Sequence, residues 1–266
     1  MDHVIQIEQM SYRIKGKSIL KEIDWTARQG EHWAILGLNG SGKTTLLNII
    51  NGYIWPSAGS VSVLGRPFGT IDLRELRTAI GWVSSSLQGK LYPSDRAEYI
   101  VVSGKYATIG LYEDPSETDW ELAESLMEQL GCAHLKGRTY QTCSQGEQQK
   151  LLIARALMAQ PKLLILDEPC SGLDLFAREQ LLEAIETLAQ SEGAPTLLYV
   201  THHTEEILPI FQHALLLRRG EVFCQGKVDE VLNSSLLSDF FERAVEVVER
   251  EERYWLLPAK GDAIET

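Results

Sequence analysis

The chain has 266 residues, a formal net charge of −12 and four cysteines. That length suits one α/β domain with a sizeable core, or a core carrying a small subdomain, and the acidic balance argues against a protein whose main work is gripping nucleic acid phosphates. Cys132, Cys143, Cys170 and Cys224 form no CxxC pair and have no His at metal-ligand spacing, which reads as reduced thiols in a cytosolic protein.

The start, Met1-Asp2-His3-Val4, lacks the basic and apolar segments of a signal peptide. No apolar run approaches the ~18 residues of a membrane span, so any service to a membrane is expected to run through a partner. Residues 1 to about 88 read as a β-rich start that leads into a strand, a loop and a helix. Glu31 to Leu36 is a short apolar strand, Thr44 to Ile50 is helical, and Gly52 is the stop signal. From about 89 to 160 the pattern is mostly helical, opening at Tyr92-Pro93-Ser94. Within it Glu113 to Leu130 carries seven acids and no Lys or Arg, with Trp120, Ala123, Met127 and Leu130 at helical spacing and Thr118 and Glu121 fitting a capping box. The acidic face serves either as a solvated helix surface or as a docking surface. From 161 the α/β pattern returns, with β-type runs at Leu163 to Leu166 and Thr196 to Val200 around a helix near Ala177 to Gln190. Val245 to Trp255 reads equally as a β pair or a helix.

Three motifs carry chemistry. Gly37-Leu38-Asn39-Gly40-Ser41-Gly42-Lys43-Thr44 follows the apolar strand and opens the helix. Its glycines let backbone N–H groups converge on phosphate oxygens, and the helix turns its positive end toward them. Lys43 is placed to neutralise β- and γ-phosphates and Thr44 to hold Mg²⁺ by its hydroxyl. Asp167 ends the run Leu163 to Leu166, at the carboxyl end of a buried strand where open α/β sheets bind ligands, and Glu168 follows it. Ser144 and Glu147 form a capping box at the head of an apolar helix, Leu151 to Met158, with Gln145 and Gly146 between them. Alone, that motif is a well-capped helix. Beside the other two it reads as a second phosphate contact.

In this order and spacing, the three motifs resemble the ATP-binding cassette (ABC) family of ATPases, and the resemblance runs from about Tyr12 to about Leu232. It implies an α/β P-loop NTPase fold, with a RecA-like core, an N-terminal antiparallel β portion and an inserted α-helical subdomain. It implies one nucleotide-binding domain over residues 1–240, with the subdomain at about 89–160, and a C-terminal extension over 241–266. The implied reaction is ATP + H₂O → ADP + Pi, with ATP and Mg²⁺ bound. Gly37, Asn39, Gly40, Ser41, Gly42, Lys43, Thr44 and Thr45 would then hold the nucleotide. Asp167 would be the Mg²⁺ partner and Glu168 the general base for the attacking water. Ser144, Gln145, Gly146 and Glu147 would close over ATP held by a second cassette, identical or a close paralogue, in a head-to-tail dimer.

The resemblance extends to smaller features. Ser171-Gly172-Leu173-Asp174 looks like the family's D-loop, with Asp174 crossing the dimer interface. His202 matches the switch histidine of the pattern Thr-His-x-x-Glu-Glu, completed by Glu205 and Glu206, and His203 is its neighbour without that role. Tyr12 resembles the aromatic that stacks on adenine, and read by itself serves equally as a core tyrosine. The chain departs from the family at Ile80-Gly81-Trp82-Val83-Ser84-Ser85-Ser86-Leu87-Gln88, where Ser85 occupies the place of the usual glutamine. Ser85 can ligate Mg²⁺ or position water, and Gln88 can substitute from the next turn.

The function so implied is the ATP-hydrolysing subunit of a transporter, peripheral on the cytoplasmic face of the cell membrane. It would power separate integral membrane subunits that dock between Ser86 and Tyr106. Direct nucleic acid binding is not expected. The rival is a soluble, non-transport cassette acting on nucleic acid or ribosomes. Translation-associated members carry two cassettes, and chromosome-maintenance members place a long coiled coil where only roughly a hundred residues intervene here. A P-loop kinase leaves Ser144 to Glu147, Asp174 and His202 unexplained together.

Overall fold

β1 (His3–Ile14) and β2 (Lys17–Arg28) form an antiparallel hairpin. Lys15 and Gly16 turn it with φ of 48° and 77°, the left-handed pair that matches strand twist in a two-residue loop. The structure is a computed structural model and describes residues 3–259, apart from the side chains of Ser85 and Ser86. It divides into two compact units: the chain up to Ile71 together with the chain from Leu198 onward, and Asp72–Leu197.

In the first unit, β3 (Trp33–Leu36) is buried at every residue, the pattern of a strand covered on both faces. The glycine loop follows, then α1 (Lys43–Ile50). Asn51 caps that helix, and Gly52, at φ 67°, returns its N–H to the Ile49 carbonyl at 2.8 Å, so Gly52 stops the helix as expected. β4 (Ala58–Val63) and β5 (Arg66–Pro67) complete an antiparallel sheet of order β2-β1-β4-β5. Ile5, Ile7, Met10, Leu20, Ile23 and Trp25 are fully buried along it.

The second unit opens with α2 (Leu73–Thr78), whose cap Asp72 accepts the Arg74 N–H. β6 (Ile80–Val83), α3 (Ser85–Gln88), α4 (Ala97–Val102), α5 (Glu117–Gln129) and α6 (Gln145–Leu157) follow, then β7 (Leu163–Asp167) and α7 (Leu175–Ala189). β6 and β7 pair in parallel, Ile80 opposite Leu163 through Val83 opposite Leu166. The expected cap of α5 at Thr118 and Glu121 is displaced by two residues. The capping box is Ser116 with Asp119, because the helix begins at Glu117 and the Ser116 N–H reaches Asp119 Oδ2 at 3.0 Å. The acidic run is not a purely solvated face: Asp119 is buried and pairs with Lys105, and Glu124 pairs with Lys136.

The chain re-enters the first unit through β8 (Thr196–Thr201) and continues as β9 (His213–Arg218), β10 (Glu221–Lys227), α8 (Val228–Val231) and α9 (Ser234–Phe241). There β3 lies between β8 and β9 and is parallel to both, while β9 and β10 form an antiparallel hairpin. The segment that periodicity left open is a hairpin of β11 (Val245–Arg250) and β12 (Arg253–Pro258). β-branched Val245, Val247 and Val248 favour the strand, and Glu251 and Glu252 adopt the left-handed turn at φ 52° and 57°.

Candidate functional site

The glycine loop is shaped by conformations that side chains resist. Gly40 and Gly42 sit at φ 79° and 108°. A Cβ on Gly42 would lie 2.7 Å from Leu20 Cδ2, and one on Gly37 would lie 2.5 Å from Ser41 Oγ and 2.7 Å from the Leu217 carbonyl oxygen. Only glycine fits at both places. Gly42 caps α1 without a side-chain bond, which leaves the first-turn N–H groups to an outside acceptor. Ser41 Oγ is buried with no hydrogen-bond partner. Lys43 is 7% exposed, and its Nζ donates to the Gly37 carbonyl at 2.6 Å, inside the curl of the loop. Asn39, Gly40 and Thr44 are exposed and Thr45 is half-buried. A cradle of backbone donors, one cation and an unpaired buried hydroxyl fits a polyphosphate.

β8 places His202 beside this loop. Leu36 pairs with Thr201, so Gly37 and His202 leave neighbouring parallel strands at one level. His202 and His203 are both exposed, with ring centroids 4.2 Å apart. His203 Nδ1 lies 3.3 Å from Glu205 Oε1. Glu206 is buried and accepts from Tyr199 Oη at 3.0 Å and Thr201 Oγ1 at 2.6 Å, and the His203 N–H donates to Thr201 Oγ1 at 3.0 Å. The sequence pattern named Glu206 only as a member of a motif. The buried acceptor role depends on Tyr199 and Thr201, whose hydroxyls carry no signal in an otherwise apolar strand.

In the second unit β7 delivers Asp167 and Glu168, both half-buried. Glu168 has φ 50°, a left-handed conformation that a non-glycine residue adopts at a cost of about 1–3 kcal/mol. Its carbonyl accepts the Ser171 N–H at 3.1 Å, which turns the chain toward Gly172 and Asp174. Asp174 is exposed and caps α7 by accepting the Ala177 N–H at 2.9 Å, a structural duty in its own right.

The capping box at α6 is present as expected: Ser144 Oγ accepts the Glu147 N–H at 3.3 Å and the Ser144 N–H donates to Glu147 Oε2 at 2.7 Å. Burial opposes ionisation of Glu147, yet Ser144, His134 and Arg138 outweigh it and hold its carboxyl below the ordinary carboxylate range. Gly146 is buried, and a Cβ there would lie 3.2 Å from Ala177 Cβ, so its missing side chain lets α6 and α7 approach. Gln145 is exposed.

The Ser85 side chain lies outside the described part of the structure. Gln88, the other residue offered for the place of the family's glutamine, is bonded to α6. Its Nε2 donates to Gln148 Oε1 at 3.0 Å and its Oε1 accepts from Gln149 Nε2 at 3.3 Å, so both ends of the amide are held by α6. Tyr12 is half-buried on β1, opposite Leu20, and is not among the fully buried core. Among the described residues no group of three His, Cys, Asp or Glu is arranged to hold a metal. No helix there is long and apolar enough to cross a membrane.

The sequence matches the family model for the ABC transporter over residues 20–171. It is 51% identical over 258 residues to the ABC transporter ATP-binding protein YlmA of Bacillus subtilis (strain 168), itself uncharacterized, covering 97% of this chain and 98% of that one. Its fold is similar to that of cbiO1 from Clostridium perfringens, part of the ABC transporter complex cbiONQ, with a TM-score of 0.78, 27% identity and coverage of 90% and 94%. It is also similar to an ATP-binding cassette solved as a dimer in a post-hydrolysis state with ADP and Pi, with a TM-score of 0.70, 25% identity and coverage of 84% and 98%. The chain therefore has the P-loop NTPase fold and belongs to the ABC transporter family, as an ATP-binding and ATP-hydrolysing cassette.

Proposed function

We propose that this cassette works on the cytoplasmic face of the cell membrane as a head-to-tail dimer, with an identical chain or a close paralogue, and drives separate integral membrane subunits. Residues 1–240 act as the nucleotide-binding domain, with a helical insertion at about 89–160 and an extension from 241. The observation that carries the reading is the Gly37–Thr44 cradle with its left-handed glycines, buried Lys43 and unpaired Ser41 hydroxyl. Gly37, Asn39, Gly40, Ser41, Gly42, Lys43, Thr44 and Thr45 hold the phosphates, and Tyr12 stacks on the adenine. The Thr44 and Ser85 hydroxyls and the Asp167 carboxylate are the hard oxygen donors that suit Mg²⁺ held jointly with substrate phosphates. When bound, that ion supplies positive charge against the β- and γ-phosphate oxygens.

Glu168 takes the proton of the attacking water as its oxygen bonds to the γ-phosphorus and the bond to ADP breaks. The strained backbone at Glu168 supports a functional role there. His202 donates to the γ-phosphate. Ser144, Gln145, Gly146 and Glu147 present a capped helix N-terminus to the ATP of the second cassette, and Asp174 reaches across to orient that site. ATP closes the dimer and hydrolysis reopens it, and that motion is passed to the membrane subunits through residues between Ser86 and Tyr106.

The test uses the full-length Glu168→Gln variant, which slows hydrolysis and retains ATP. Size-exclusion chromatography is expected to show an ATP-dependent dimer, and capture from gently solubilised native membranes to bring down a polytopic membrane protein in stoichiometric amount. A closed dimer that brings down only ribosomes or nucleic acid would overturn the transport role.

A further inference from the structure

We propose that Arg253, on the C-terminal hairpin, is a positioning residue for His202, so that the hairpin sets the rate of ATP hydrolysis; this rests on the role given to His202 above. Arg253 Nε donates to the Glu205 carbonyl oxygen at 2.6 Å. Glu205 lies in a single 3-10 turn, Thr204–Glu206, three residues beyond His202, and β12 packs on that turn. A guanidinium N–H donating to a carbonyl oxygen is a charge-assisted bond. The guanidinium carbon also lies 5.9 Å from the centroid of the Trp255 ring, which restricts the stem.

The turn is thereby gripped from two directions. The buried Glu206 carboxylate ties its inner side to Tyr199 and Thr201 of β8. Arg253 ties its outer side to the hairpin. The hairpin is in turn anchored, since the Val245 N–H donates to Ser238 Oγ at 3.0 Å and the Val247 N–H to Ser234 Oγ at 2.9 Å, both on α9. The last carbonyls of α9 are held by Arg218 Nη1 of β9, at 2.6 Å to Asp239 and 3.3 Å to Phe240. β9 pairs with β3, the strand that feeds the glycine loop. A closed ring of contacts thus runs from the phosphate loop through β9, α9 and the hairpin back to the segment carrying His202. Without Arg253, that segment loses its bond to the hairpin, and the imidazole is less often where a γ-phosphate oxygen needs it.

The experiment measures ATP hydrolysis and equilibrium ATP binding on the full chain. Arg253→Ala is expected to lower kcat about tenfold while ATP affinity stays within about twofold. Arg253→Lys, which keeps a cationic donor on a long stem, is expected to recover most of the rate. On a His202→Ala background, Arg253→Ala is expected to cost nothing further, because the contact acts through the missing imidazole. Should Arg253→Ala fail to fold, Arg253→Met keeps the apolar stem and removes only the donor. An unchanged kcat in Arg253→Ala or Arg253→Met, with His202→Ala inactive, overturns the brace and leaves the His202 role standing. An equal loss on both backgrounds overturns it too. Wild-type hydrolysis by His202→Ala would instead remove the role of His202 itself.

Discussion

Leu36 and Thr201 are register partners on the parallel strands β3 and β8. The next residues, Gly37 and His202, therefore leave the sheet side by side at its carboxyl edge, where open α/β sheets receive ligands. A phosphate loop and an exposed imidazole are brought together by strand pairing alone, although 165 positions separate Gly37 from His202 (202 − 37).

Glu206 holds that arrangement from below. Glu206→Ala leaves the Tyr199 and Thr201 hydroxyls without their buried acceptor, at a cost of about 1–3 kcal/mol. Thermal melting should show a fall of about 2–4 °C per kcal/mol, with a smaller fall for Glu206→Gln, which keeps a carbonyl acceptor. Equal melting temperatures for all three proteins would contradict the clasp.

Gly42→Ala meets both a left-handed backbone and the Leu20 side chain at 2.7 Å. Strain of about 1–3 kcal/mol is expected, together with at least roughly a hundredfold loss of ATP affinity as the loop opens. Gly16→Ala is the control, because Gly16 is also left-handed, at φ 77°, but has nothing within 4 Å of its Cβ direction. It should lose stability and keep ATP affinity. Fluorescent nucleotide titration of both variants separates the two effects.

Gln88 and Ser85 are the two residues offered for the place of one family glutamine, and Mg²⁺ dependence separates them. Gln88→Ala removes the bonds to Gln148 and Gln149 on α6 and should lower kcat severalfold with no change in the Mg²⁺ concentration needed for half-maximal hydrolysis. Ser85→Ala should raise that Mg²⁺ requirement. A Mg²⁺ titration in which the two variants exchange behaviours would reverse the assignment.

Acid stability should report the Asp119 cluster. The Lys105 hydrogen bond and then Ser116 bring the Asp119 carboxyl down from 3.8 to about 2. Because the folded-state value is depressed, the stabilisation is complete above pH 3.8 and disappears as pH falls toward about 2. Asp119→Asn should be less stable than the parent near pH 6 and show a shallower decline between about pH 4 and 2. Parallel melting curves against pH would rule the cluster out.

The glycine loop, the capping box at Ser144 and the stop at Gly52 were legible from the chain because each is made of neighbours within about one helical turn. Backbone donors, a glycine at positive φ and a side chain three residues away need no tertiary partner to be recognised. The family resemblance likewise rests on local motifs in order. Three features were decided only by the fold. Val245 to Trp255 became a hairpin, with its turn at Glu251 and Glu252 and its packing on the Thr204–Glu206 turn. Gln88 was taken up by α6, sixty positions away. Arg253 found the Glu205 carbonyl across forty-eight. Such contacts form between polar groups that burial brings together, and local periodicity carries no record of which distant partner will satisfy them.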